Sequence, residues 1–116
     1  MKPKFRVWDK VNKRFFSQEL LDNLTVNVFL NSEFIQQFTG LLDKHGEDIC
    51  EGDILKIPGF NGPMEVMFGE YYNPVNENRG VGFFAFSKGQ RSWALCGPQK
   101  LEIVGNIFEN KELLNK

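Results

Sequence analysis

A chain of 116 residues with a formal net charge of −1 is the size of one domain, and such a domain hides roughly two-thirds of its unfolded surface without a disulfide or metal staple. Its apolar, aromatic and charged fractions, 41%, 14% and 25%, exclude wholesale disorder. The near-neutral balance excludes strong non-specific attraction to nucleic acid or anionic membrane, which needs an excess of Lys and Arg, but it leaves room for a local basic patch.

Phenylalanine is the outlier, at 12 residues against two each of tyrosine and tryptophan. Bulky rings without a polar handle suit a sheet interior or a buried contact surface. Met1-Lys2-Pro3-Lys4 runs into Phe5-Arg6-Val7-Trp8-Asp9 rather than an apolar leader core, and no apolar run reaches membrane-spanning length. These features predict a cytoplasmic protein with no membrane partner. Cys50 and Cys96 stand far apart without a Cys-x-x-Cys spacing, so they read as small buried hydrophobes.

In chain order, Lys4 to Asp9 alternates apolar and polar residues, Lys10 to Lys13 is a turn, and Arg14-Phe15-Phe16 turns apolar again. The pattern predicts a β-hairpin with Phe5 and Val7 on one face and Trp8 on the other. Gln18 to Asn23 offers one helical turn, and Thr25 to Leu30 is a strand with Val26, Val28 and Leu30 on one side. Asn31 to Thr39 permits either helix or strand; Gly40, Thr39 and Phe38 weigh for strand. Asp43-Lys44-His45-Gly46 has type I turn chemistry, and Glu51-Gly52 is a second turn.

Asp53 to Ile57 is a strand stopped by Pro58-Gly59, and Met64 to Phe68 is another, ended by Gly69. Tyr71-Tyr72 and Val81 to Phe86 form hairpin arms about a polar loop from Asn73 to Gly80. Arg91 to Leu95 is a strand terminated by Gly97-Pro98. Leu101 to Phe108 is the last, with Leu101, Ile103 and Ile107 on one face, and Glu109 to Lys116 closes in a short helix. Strands of this length and spacing predict a mainly β fold, a small β-barrel or sandwich-like arrangement of antiparallel strands and hairpins with at most short helical turns. It forms a single domain, 1–116; the turn at Gly46 offers a division into lobes 1–46 and 47–116, each too small to fold alone with ease.

Three blocks carry a family resemblance: Lys4-Phe-Arg-Val-Trp-Asp-Lys10, Phe38-Thr-Gly-Leu-x-Asp-Lys-x-Gly-x-x-Ile-x-Glu-Gly-Asp-Ile-Leu55, and Ile103-Val-Gly-Asn-Ile-Phe-Glu-Asn110. They resemble the YopX family, encoded mostly by bacteriophages and prophages of Gram-positive bacteria. The resemblance implies a β-rich fold and brings no assigned activity. This chain departs from the family in having Lys111 where proline commonly follows the Glu-Asn pair, which leaves the start of the final turn less rigid.

Few residues present a chemical set. Glu47, Asp48, Glu51 and Asp53 could suggest a cation site, but their spacing does not fit an EF-hand, and turn-forming duty accounts for them. His45 is the one group suited to acid/base work near neutral pH. It lacks a nucleophile motif, and nothing in its spacing brings it to Cys50. No Gly-rich phosphate loop occurs, and one histidine with two scattered cysteines is too few ligands for a metal. The expected protein is non-enzymatic, with no catalytic residue, cofactor or metal.

Val81 to Trp93 interleaves aromatic residues with Lys88 and Arg91. On a small barrel Phe83, Lys88, Arg91 and Trp93 could stack and hold a single nucleic-acid strand. The neutral charge favours the alternative, in which Phe84 and Phe86 fill the core and Phe83 or Trp93 meets a neighbour. The leading expectation is a phage or prophage accessory protein, a β module that binds an unidentified phage or host protein and forms a homo-oligomer. Its interface residues are Phe60, Tyr71, Tyr72, Phe83 and Trp93, which flank turns where a large apolar side chain is hard to bury. A single-stranded nucleic-acid-binding barrel is the less favoured reading.

Overall fold

A computed structural model describes residues 5–17, 35–73, 78–88, 92–95 and 100–115. The expected helical turn at 18–23, the strand at 25–30, and Arg91, Cys96 and Gly97-Pro98 lie outside the described residues. The described chain is mainly β, with two antiparallel sheets, one of them a half-barrel, as the alternation of apolar and polar residues predicts. Its backbone divides into two compact units, residues 1–38 and 39–116.

In the first unit, β1 (Phe5–Asp9) pairs antiparallel with β2 (Arg14–Phe15), setting Trp8 opposite Phe15. Asp9 folds the turn between them: Oδ1 accepts the N–H groups of Val11 and Asn12, and Oδ2 accepts the Asn12 amide. A short acidic side chain bonding two and three residues onward is the chemistry that makes Asp a turn former. Trp8 and Phe15 meet edge to face, centroids 4.9 Å apart, and Arg6 lies 4.4 Å over the Phe15 ring. Val7 and Trp8 are both buried, so β1 is covered on both faces rather than one.

The other neighbour of β1 is the first part of β3 (Ile35–Leu42), which settles the ambiguous stretch as strand from Ile35 onward. Buried Gln36 on β3 accepts a 2.8 Å hydrogen bond from Arg6 Nε at the position opposite. From Thr39 onward β3 belongs to the second unit, beside β4 (Asp48–Cys50), a strand the sequence pattern did not separate from the following turn.

The second unit is dominated by a sheet of β5 (Asp53–Lys56), β6 (Met64–Asn73), β7 (Asn78–Phe86), β8 (Trp93–Ala94) and β9 (Glu102–Asn106), in the order β8-β7-β6-β5-β9. Three consecutive residues of β5, Asp53, Ile54 and Leu55, are buried, as a strand covered on both faces requires. Leu55 joins Ile49, Ile57, Met64, Val66, Ala85 and Leu101 in one apolar cluster. The β5–β9 ladder is irregular between Ile54 and Leu55.

Several boundaries differ from the expectation. Gly69 does not end its strand: at φ 154° it continues β6 opposite Gly82, a backbone angle that suits glycine. The hairpin partner likewise begins at Asn78 rather than Val81. Ile107 lies in the turn after β9, where Asn106 Oδ1 accepts the N–H groups of Phe108 and Glu109 and pulls the chain out of the ladder. The closing helix is a short 3₁₀ element, Lys111–Asn115.

Candidate functional site

The turn that holds the histidine is built around Asp43, not around the four carboxylates that follow it. Asp43 is buried. Its Oδ1 accepts from the N–H groups of His45 and Glu47 at 2.8 and 2.9 Å, and its Oδ2 accepts from Ile103 N–H at 3.2 Å. The Gly46 N–H donates to Asp43 O, and Lys44 N–H donates to Leu101 O. One side chain thus closes the turn and fastens it to the outer edge of β9, which would otherwise be open to strand addition. Burial raises the Asp43 pKa, but the three N–H donors outweigh it, so the carboxyl lies below its ordinary value.

His45 is exposed at the tip, with Nε2 3.2 Å from Glu102 Oε2, and Lys44 Nζ is 3.5 Å from the same oxygen. The hydrogen bond from the His45 ring, with the Lys44 ammonium beside it, holds the Glu102 carboxyl below the usual range against the opposing effect of burial. Asp53 is spent differently: its buried carboxylate accepts Cys50 N–H at 2.8 Å across the second turn. Glu47 and Asp48 are exposed. Asp43, Asp53 and Glu102 therefore serve separate contacts, and no three His, Cys, Asp or Glu side chains cluster for a metal among the described residues.

The β6–β7 hairpin is the other candidate. Strand β5 pairs with β6 only at Met64 and Glu65, with one further bond from Gly52 N–H to Val66 O, and β8 reaches β7 only as far as Phe83. Residues 69–73 and 78–82 pair with each other in unbroken register and, among the described residues, with no other strand. Side chains alternate along a strand, so Met64, Val66, Phe68, Glu70 and Tyr72 share a face with Ala85, Phe83, Val81 and Arg79 opposite them. At the base that face is core: Met64, Val66 and Ala85 are 0% exposed. Further out it opens, and Phe68 is 50%, Tyr72 48% and Val81 75% exposed.

The rings on the arm are ordered. Phe68 meets Phe83 edge to face at 4.9 Å, and the Arg79 guanidinium lies 5.7 Å from the Tyr72 centroid. Tyr71 occupies the opposite face, near Phe84, with its ring laid against Gly80; a Cβ on Gly80 would come within 2.6 Å of Tyr71 Oη. Trp93 contacts Phe60 edge to face at 5.4 Å and, with Ile57, Pro58 and Lys100, borders a cleft of about 280 Å³.

The five residues expected to form an interface therefore fall in three places. Phe60 meets Trp93, which borders the cleft, Tyr72 and Phe83 share the outer face of the hairpin with Phe83 partly packed on the core, and Tyr71 is on the reverse. Lys88 is exposed, and Arg91 is outside the described residues. Phe68 and Val81 were missed, because each continues an apolar alternation that reads as core. The available signal was length: the apolar pattern from Met64 to Tyr72 outruns the strand at Asp53 to Lys56 that flanks it on one side.

The fold and this surface define a mainly β protein whose long aromatic hairpin outruns its sheet. The chain belongs to the YopX family, since the model of that family, described as YopX protein, matches residues 22–115. The second and third sequence blocks lie inside the matched span. A search of curated proteins finds no match.

Proposed function

We propose that this chain is a non-enzymatic accessory protein of a bacteriophage or prophage, acting in the host cytoplasm as a β module that binds protein partners and associates with itself. One observation carries the reading: the outer face of the β6–β7 arm exposes Phe68, Tyr72 and Val81 in a row that no described element covers. Large apolar side chains grouped on an ordered surface are what protein contacts use. Asp43 and Asp53 hold backbone N–H groups and His45 pairs with Glu102 at the surface, which supports a structural role for them. The phage origin is suggested by the family alone.

A pulldown from host cells with mass-spectrometric readout tests this, comparing the wild-type chain with a Phe68→Ser/Tyr72→Ser variant. The variant is expected to keep its circular dichroism spectrum and lose the captured proteins. An unchanged set of captured proteins overturns the reading. Salt-sensitive binding of single-stranded oligonucleotides, measured by fluorescence anisotropy, would favour the nucleic-acid alternative instead.

A further inference from the structure

We propose that the open edge of β7 pairs with the same edge of a second copy of this chain, continuing the sheet across a two-fold axis at Gly80. This rests on the reading of the arm as a protein-contact surface and names its partner. Leu95 N–H donates to Phe83 O from the β8 side, so the backbone of Phe83 faces away from β6. In an antiparallel ladder that direction recurs at every second residue. The N–H and C=O groups of Val81 and Arg79 therefore also face outward, and among the described residues no strand meets them.

Exposed ladder groups of this kind template the addition of a strand. Two copies laid antiparallel about Gly80 set Arg79 opposite Val81 of the second copy, and Val81 opposite its Arg79. Each such pair exchanges both hydrogen bonds, giving about four in all, and the arrangement closes as a dimer without leaving the same edge open.

The side chains favour a second copy over an unrelated strand. Across the joined sheet each row on the outer face reads Glu70, Val81, then Arg79 and Tyr72 of the second copy. Every row holds one carboxylate and one guanidinium, and the long Arg79 side chain can reach over the small Val81 to the Glu70 beyond it, about two strand spacings or ~10 Å away. Pairing through the β6 edge gives no such match, because the Tyr72 ring would stand between Glu70 and Arg79. The dimer also covers Val81, which at 75% exposed is the most solvent-accessible apolar residue of the hairpin.

Sedimentation velocity from about 1 to 200 µM, a range that brackets micromolar association, tests the proposal. The wild-type chain is expected to pass from monomer to dimer. Val81→Pro removes an outward N–H and leaves the β6 ladder intact; by symmetry it deletes a hydrogen bond twice and should raise the dissociation constant at least about tenfold. Val81→Lys, which keeps the N–H and adds a like charge beside Arg79, should do the same, and Val81→Thr should dimerise as wild type. Matching circular dichroism spectra and melting curves show that each variant is folded.

A wild-type chain that stays monomeric throughout overturns the proposal, and so does unaltered dimerisation of both Val81→Pro and Val81→Lys. If the copies do not associate but capture of other proteins still depends on Phe68 and Tyr72, only the choice of partner is wrong. If neither depends on the arm, the contact-surface reading falls as well.

Discussion

Asp43 ties its own turn to a strand 60 residues away through one side chain. Three backbone N–H groups depend on its carboxylate, and leaving such donors unpaired costs about 1–3 kcal/mol. Asp43→Ala should therefore destabilise by about 2–3 kcal/mol and loosen the turn from β9, while Asp43→Asn, which keeps one acceptor, should cost about half as much. The pH dependence has a definite sign. The folded-state pKa is depressed below 3.8, so the group stabilises the fold above that value and the contribution is lost as pH falls through the lower folded value. Glu65 behaves oppositely. Burial raises its pKa above 4.5, with Lys111 opposing and Glu51 adding to the shift, so it weakens the fold as pH rises through that value. Urea titrations at pH 7 and pH 3 check both: Asp43→Asn should be weaker than wild type at pH 7 with the gap narrowing at pH 3, and Glu65→Gln should be stronger at pH 7 with its gap closing.

At the scale of the element, one hairpin serves two environments. The β6 residues Met64 and Val66 lie in the core beside Leu55, whereas Phe68, two positions further along the same face, is half exposed. Truncation should report the difference. Leu55→Ala empties a fully enclosed position and should cost about 2–5 kcal/mol, while Phe68→Ala loses chiefly an edge-to-face contact with Phe83, about 0.5–1.5 kcal/mol. In thermal melts Leu55→Ala should fall by many degrees and Phe68→Ala by only a few; equal losses would mean that the arm is part of the core. The sequence read the strands well for a physical reason: period-two alternation is written in each residue by its face. Strand ends are set by neighbours instead. Nothing local distinguishes Phe68 from Val66, and only the early end of the β5 ladder makes one a surface residue and the other core. Gly69 misled for the same reason, since pairing with Gly82 carries the strand through it.

For the molecule as a whole, composition and patterning made the mainly β, antiparallel fold legible, and the turn chemistry of Asp43 was visible in Asp43-Lys44-His45-Gly46, whereas Asp9 and Asn106 read as strand residues although their side chains cap the turns that follow. The long-range partner of Asp43 was not legible: its bond to Ile103 spans 60 residues, and no local pattern encodes such a meeting. The exposed row on the arm was hidden too, because exposure depends on which strands stop short. These differences should appear as uneven local stability, since segments with few buried apolar contacts open at lower free energy than the core. The first unit buries Val7 and Trp8 on a short hairpin, whereas the second holds the seven-residue apolar cluster about β5. Native-state hydrogen exchange followed by mass spectrometry should give the slowest exchange in β5, the base of β6 and the β5-facing amides of β9. The β1–β2 hairpin should exchange sooner, and the outward amides of Arg79 and Val81 should be fast in dilute solution. Raising the protein concentration should slow those two amides selectively, because they alone would be buried by pairing of two arms. Concentration-independent exchange there would leave the outer edge of β7 open to solvent.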